Sequence, residues 1–254
     1  MSRKPLILVA DIGNTSTSIA LYQGSRLTRV RRIEKVDQNS DSVSKVVESV
    51  MAGRRLNGVA IASVVPHLTP LWEAIVRRVT GHEVLWIGHQ LNLGIPLTYP
   101  KPETIGADRL ANAAAGVVKY GAPLIVADFG TAVTFDLVSR RDGYMGGIIA
   151  PGLPLMFDYL AERTAQLPHI TWSAVRSRVG RSTTEAMQLG AQWGYRGMVR
   201  EIIRELKRSP SLRQARVCAT GGYAARVTAG LVPQPIVDQG LTLFGIGHIY
   251  ELNS

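Results

Sequence analysis

Three carboxylates in this chain, Asp11, Asp108 and Asp128, have neighbours suited to chemistry on a phosphate. Residues 6 to 15 read LILVADIGNT and residues 124 to 131 read LIVADFGT, so Asp11 and Asp128 hold one position in two copies of a single phrase. Each apolar run ends in Asp, then Gly, then Thr, and continues into alternating apolar residues, a pattern that predicts strand, tight turn, strand. Gly13, Asn14, Thr15, Ser16 and Thr17 follow Asp11 with no apolar side chain among them. Such a run makes a poor core and a good phosphate cradle, because its N–H groups and hydroxyls meet phosphate oxygens while the carboxylate holds a cation. Two carboxylates at one polyphosphate repel each other unless cations lie between them, so at least one bound cation is implied.

Asp108 stands in Ile105-Gly106-Ala107-Asp108-Arg109, ahead of an Ala-rich run. Its plain reading is a helix N-cap, which needs no function and gives a carboxylate of low pKa. The other reading pairs a base with Arg109 as a carboxylate clamp, near Tyr99 in a Pro-rich loop, for a small acid substrate. The two are compatible, since a loose phosphoryl-transfer transition state releases the hydroxyl proton late and orienting the nucleophile can suffice.

The elements that must position these residues follow from periodicity. After the first hairpin the pattern predicts a helix over 38–53, a strand over 58–64, a helix over 69–79 and a strand over 83–87, the βββαβα order of a ribonuclease-H-like unit. A loop with Pro96, Pro100 and Pro102 leads to a helix over 108–120, stopped by Gly121 and Pro123 and expected to form the joint. The second copy then carries its own hairpin, a turn with Gly146, Gly147 and Gly152, a helix from Leu153, a basic loop, a long helix over 182–207, a strand over 215–220, a Gly221-Gly222 turn and a last helix over 241–251. The expected domains are 1–117 and 118–254. In the long helix Gly190 and Gly194 stand four apart, with Ala186 and Gly197 near the same side. Glycine inside a helix costs about 1 kcal/mol, so a close helix contact, at a dimer interface or within the chain, is expected there.

With 254 residues, 46% of them hydrophobic, the chain can bury a sizeable core. The single cysteine, Cys218, excludes an intrachain disulfide framework and reads as a small buried residue in a reduced compartment. Leu6 to Ala10 is cut off by Asp11 and is read as a first strand, with no signal peptide, and no apolar run approaches the roughly 20 residues of a membrane span. A cytoplasmic protein without membrane contact is expected. The formal charge of +10 raises nucleic acid as a partner. Its spread argues against one: Arg200, Arg204 and Arg208 line up opposite the apolar stripe of Val199, Ile202, Ile203 and Leu206, as on a solvated helix face.

DIGNTSTS, GADR, DFGTA, GGIIAPG followed by LPLM, Gln166-Leu167-Pro168, Thr220-Gly221-Gly222 and the closing LTLFG occur together and in order. In this the chain resembles type III pantothenate kinases over nearly its whole length. The resemblance implies an α/β protein of two ribonuclease-H-like domains of the actin-like ATPase superfamily. It also implies a homodimer that phosphorylates the primary hydroxyl of pantothenate with ATP, the first step of coenzyme A synthesis, using Mg²⁺ and K⁺ or NH₄⁺. By the same resemblance the ATP phosphates would meet Asp11, Ile12, Gly13, Asn14, Thr15, Ser16, Thr17, Ser18 and Thr131. Asp11 would help hold Mg²⁺ through water, Asp128 would bind the monovalent cation, and Asp108 would accept the proton. Tyr99, Gly106, Ala107, Asp108, Arg109 and Thr183 would surround pantothenate. Arg181 and Ser182 depart from the family's Gly-Lys-Asn-Thr run, so Thr183 or its neighbour Thr184 fills the last role. The rival reading is a catalytically weak homologue acting as an accessory or nucleic-acid-binding regulator, which the charge would suit.

Overall fold

A computed structural model describes residues 4–254. The chain forms β1 (Leu6–Ile12), β2 (Ser16–Gln23), β3 (Arg26–Glu34), α1 (Ser40–Met51), β4 (Gly58–Ser63), α2 (Thr69–Thr80), β5 (Val84–Trp86) and α3 (Ala107–Tyr120). It continues through β6 (Leu124–Phe129), β7 (Ala132–Ser139), β8 (Gly143–Pro151), α4 (Leu153–Arg163), α5 (Thr183–Leu189), a π-helical segment (Gly190–Tyr195), α6 (Arg196–Leu206), β9 (Arg216–Thr220), α7 (Ala224–Thr228), β10 (Ile236–Val237) and α8 (Leu241–Asn253). Two five-stranded sheets result, ordered β3-β2-β1-β4-β5 and β8-β7-β6-β9-β10, the same topology twice. In each, the strand that ends in the repeated Asp pairs antiparallel with its hairpin partner and parallel with the strand that follows the crossover.

One face of the first sheet, carrying Leu8, Ala10, Ile12, Ile19 and Leu21, is covered by α1 and α2. In α1 the buried residues are Val43, Val47 and Val50, an i, i+4, i+7 stripe, each worth about 1.5–3 kcal/mol on full burial. Asn39 caps this helix, accepting from the N–H groups of Asp41 and Ser42 while the Ser42 hydroxyl accepts from the Asn39 N–H. On the opposite face α8 lies against β1, β2 and β4. There Tyr22 meets Phe244 edge-on, its hydroxyl donates to Glu251 at 3.1 Å, and the Thr242 hydroxyl donates to Asn112 of α3 at 2.8 Å. The compact units are therefore 4–119 with 142–144 and 240–254, and 120–141 with 145–239. The expected boundary grouped the last helix with the second domain. Its apolar residues instead bury against the first sheet.

In the second unit Ile125, Ala127 and Phe129 of β6 and Val133, Phe135 and Leu137 of β7 pack under Leu153 and Phe157 of α4, Tyr195 and Val199. Cys218 is buried on β9, as its bland reading required. The expected long helix runs unbroken from Thr183 to Leu206 through the π segment. A Cβ on Gly190, Gly194 or Gly197 would meet nothing within 4 Å, so close packing within the chain is not the reason for these glycines. Val199 is buried, with Ile202, Ile203 and Leu206 packed against the same core, while Arg204 and Arg208 pair with Glu201 and Glu205 at the surface. Exposed pairs of this kind contribute little to stability.

Candidate active site

The repeated turns are closed by their glycines. Gly13 N–H donates to Ser16 O at 3.0 Å, and Gly130 N–H donates to Ala132 O at 3.0 Å, so the second turn is one residue shorter. Across β1 and β2, Asp11 lies opposite Ser18 and Ile12 opposite Thr17, and directly opposed residues share a face. Ile12 belongs to the core under α1 and α2, which places Thr17 on that side as well. Both are buried, and the Thr17 hydroxyl donates to Gln38 Oε1 at 3.1 Å. Of the expected phosphate contacts, these two therefore offer main chain only. Asp11, Gly13, Ser16 and Ser18 are half-buried, and Asn14 and Thr15 stand exposed at the tip.

In the second unit two close approaches shape the turn at Asp128. A Cβ on Gly221, whose φ is +88°, would run into Asp128 Oδ1 and the Phe129 backbone. A Cβ on Gly152 would strike the carbonyls of Gly130 and Thr131. Only glycine fits either place, so both glycine-bearing segments lie directly on the Asp128–Thr131 turn.

Asp108 is the second residue of α3 and not its N-cap; Leu110 N–H reaches Gly106 O at 3.1 Å, which makes Gly106 the capping position. Asp108 Oδ1 accepts from Arg109 N–H at 2.8 Å. Burial pushes the carboxyl above the usual carboxylate range, against the opposing pull of that N–H and of the Arg109 guanidinium. The low pKa expected of a capping Asp is thus replaced by a raised one, and the residue is a stronger base. A Cβ on Gly106 would sit 2.5 Å from Asp108 Oδ1 and 3.4 Å from Val64 Cγ1, and Val64 N–H donates to Ile12 O at 3.1 Å. A short chain of contacts therefore joins the end of β1 to Asp108. Gly106 and Val64 also wall a cavity of about 620 Å³ at the carboxyl ends of β4 and β5, with Ser63, Thr69, Ile87 and His89 among its lining. Open α/β sheets bind ligands at this end of their strands. Ser63, Thr69 and His89 escape sequence reasoning because no motif contains them.

Tyr99 is held by strand-like pairing of its loop with the start of β8. Tyr144 N–H donates to Pro96 O at 2.9 Å, Thr98 N–H donates to Tyr144 O at 3.0 Å, and the rings of Tyr99 and Tyr144 meet edge-on at 6.3 Å. Thr183 is the exposed first residue of α5, behind Ser182, whose hydroxyl accepts from Glu185 N–H at 3.2 Å. Asp11, the glycine turn, Tyr99 and residues 106–109 belong to the first unit, while Asp128, Thr131 and Thr183 belong to the second. Among the described residues no three His, Cys, Asp or Glu side chains cluster as a metal site.

The fold is shared with solved structures of low identity. A Campylobacter jejuni protein described as a Baf-family transcriptional activator superposes with a TM-score of 0.62 at 17% identity, covering 96% of this chain and 97% of its own. A Listeria monocytogenes protein described as an N-acetylmannosamine kinase gives 0.53 at 11%, covering 97% and 99%. Two copies of one mixed sheet, each with an Asp-x-Gly turn closing its central strand, make an α/β fold of two ribonuclease-H-like units. The family model for type III pantothenate kinase matches residues 7–205. Type III pantothenate kinases of Geobacter sulfurreducens and Akkermansia muciniphila are 37% and 40% identical to this chain, covering 98% and 97% of it and 99% and 98% of their own lengths. The chain belongs to the type III pantothenate kinase family, enzymes that phosphorylate an alcohol group.

Proposed function

We propose that this chain transfers the γ-phosphoryl group of ATP to the primary hydroxyl of pantothenate, the first step of coenzyme A synthesis, with Asp108 as the proton acceptor. The observation that carries the role of Asp108 is its desolvated carboxyl, with raised proton affinity, beside the cavity walled by Gly106 and Val64. Burial that raises a carboxylate's pKa brings it nearer the working pH and strengthens it as a general base. Pantothenate is assigned to Tyr99 and Gly106–Arg109, where the guanidinium can clamp its carboxylate.

The phosphates of ATP are assigned to the main-chain N–H groups and hydroxyls of residues 11–18, with Thr131 as the matching donor of the second turn. The donors around Asp11 suit Mg²⁺. A single carboxylate with no His, Cys, Asp or Glu cluster fits an ion whose remaining ligands are phosphate oxygens and water. When bound, the ion neutralises charge on the transferring group. Asp128 is assigned to K⁺ or NH₄⁺.

Thr183 and the open glycine face of the helix support a homodimer in which a second copy covers Gly190, Gly194 and Gly197. No helix among the described residues is long and apolar enough to cross a membrane.

The test is ADP release with ATP, Mg²⁺ and pantothenate, compared in K⁺, NH₄⁺ and Na⁺ buffers. Turnover that requires pantothenate and collapses in Na⁺ is expected. Folded protein that turns over no pantothenate in any of the three buffers overturns the reading and favours a regulator or a different acceptor.

A further inference from the structure

The internal repeat supplies a control for each residue of the first turn. Thr17 lies opposite Ile12 as Val133 lies opposite Phe129, so the two occupy one position in the two copies, and both are fully buried. The second unit fills this place with an apolar side chain in its core. The first unit places a hydroxyl there, and a buried hydroxyl needs a partner. That partner is Gln38, whose Oε1 accepts from Thr17 Oγ1 at 3.1 Å and from Trp72 Nε1 of α2 at 2.9 Å. Gln38 also ends a 3₁₀ turn, Lys35–Asp37, whose Lys35 N–H donates to Thr15 O at 2.8 Å at the tip of the glycine turn. The segment from 35 to 38 therefore braces the turn at two points from behind. Meanwhile Gln38 Nε2 is buried without a partner, a cost that the acceptor role of this side chain must outweigh.

We infer that Gln38 is a positioning residue for the first phosphate turn, acting through Thr17 and tying the turn to α2. The inference rests on the assignment of residues 11–18 to the ATP phosphates. It predicts an effect confined to nucleotide binding, because Gln38 faces the α1 and α2 layer, behind the face that carries Asp11.

The experiment compares Gln38→Met, Thr17→Val, the double variant, Gln38→Glu and Asp11→Asn in steady-state kinetics and thermal melts of the full chain. Loss of one neutral hydrogen bond at the turn should raise KM for ATP about five-fold in Gln38→Met and in Thr17→Val. kcat and KM for pantothenate should stay within about two-fold. The double variant should be no worse than Gln38→Met alone, and Gln38→Glu, which keeps an acceptor but buries a negative charge behind the turn, should bind ATP no better than Gln38→Met. Thr17→Val places at this position the residue type its counterpart already carries, so it remains testable if Gln38→Met fails to fold. A lower melting temperature with unchanged KM for ATP overturns the inference, as does a KM effect in Gln38→Met that Thr17→Val does not share. If Asp11→Asn also leaves ATP binding untouched, the assignment of the turn to phosphate fails, and the role of Gln38 fails with it.

Discussion

Gly221 lies against Asp128 so closely that a single methyl group on it would collide with Asp128 Oδ1, and its φ of +88° is one that other residues adopt only with strain. Gly221→Ala should therefore displace the carboxylate assigned to the monovalent cation. A melting temperature lower by about 5 °C is expected from that strain and clash, measured calorimetrically. Loss of K⁺ stimulation should accompany it. A variant with normal melting and normal K⁺ response would show that the approach is not constraining.

Asp128→Asn keeps the shape of the side chain and removes its charge. The ratio of turnover in K⁺ to that in Na⁺ should fall towards one, while KM for pantothenate holds. An unchanged ratio would move the cation elsewhere.

Asp108→Asn should lower kcat by about 10²- to 10⁴-fold while ATP binding, followed by calorimetric titration, persists. Stability should move the opposite way. The carboxyl's pKa is raised in the folded chain, so the folded state holds its proton over a window where the unfolded state has lost it. Wild-type stability is therefore lost as pH rises from the ordinary carboxylate range through the raised value. The Asn variant carries no such penalty, so it should melt above wild type at pH 7, with the gap closing as pH falls to about 4. For the wild type, kcat/KM should fall on the acid side at a pH above that of an ordinary aspartate. A variant with unchanged turnover would leave Asp108 a purely structural residue of the first helical turn.

Gly194→Leu meets open space within one chain, and leucine is the better helix former by about 1 kcal/mol. The isolated chain should fold as well as before and sediment as a monomer. An intact dimer would remove the glycine face from the interface.

The site was legible in the sequence where it is local. The repeated Asp-Gly-Thr phrase predicts two turns, and both form at the ends of the central strands of identically ordered sheets. Gly121 and Pro123 mark the end of α3 to the residue, whereas β10, with two residues, is too short to leave a periodicity. The character of Asp108 was misread because it depends on distant contacts. A capping position implies a low pKa, and only burial in the folded chain raises it. Gln38 gave no signal, since a lone glutamine after a charged strand belongs to no motif, and the polar run after Asp11 did not reveal that the Thr17 side chain turns inward to meet it. The last helix was placed in the wrong unit for a related reason. Leu241, Leu243, Phe244, Ile246 and Ile249 are buried nearly all round it, and a helix without a polar face does not announce which sheet it covers.

That last helix also sets an order on biosynthesis. The first sheet emerges from the ribosome early, yet the residues that cover its second face, through Phe244 against Tyr22 and Asn253 bonded to the Asn92 main chain, follow the whole second unit in the chain. The first unit must wait, half-covered, while the whole of the second is made. A fragment stopped at Lys119 therefore lacks an essential layer and should be insoluble.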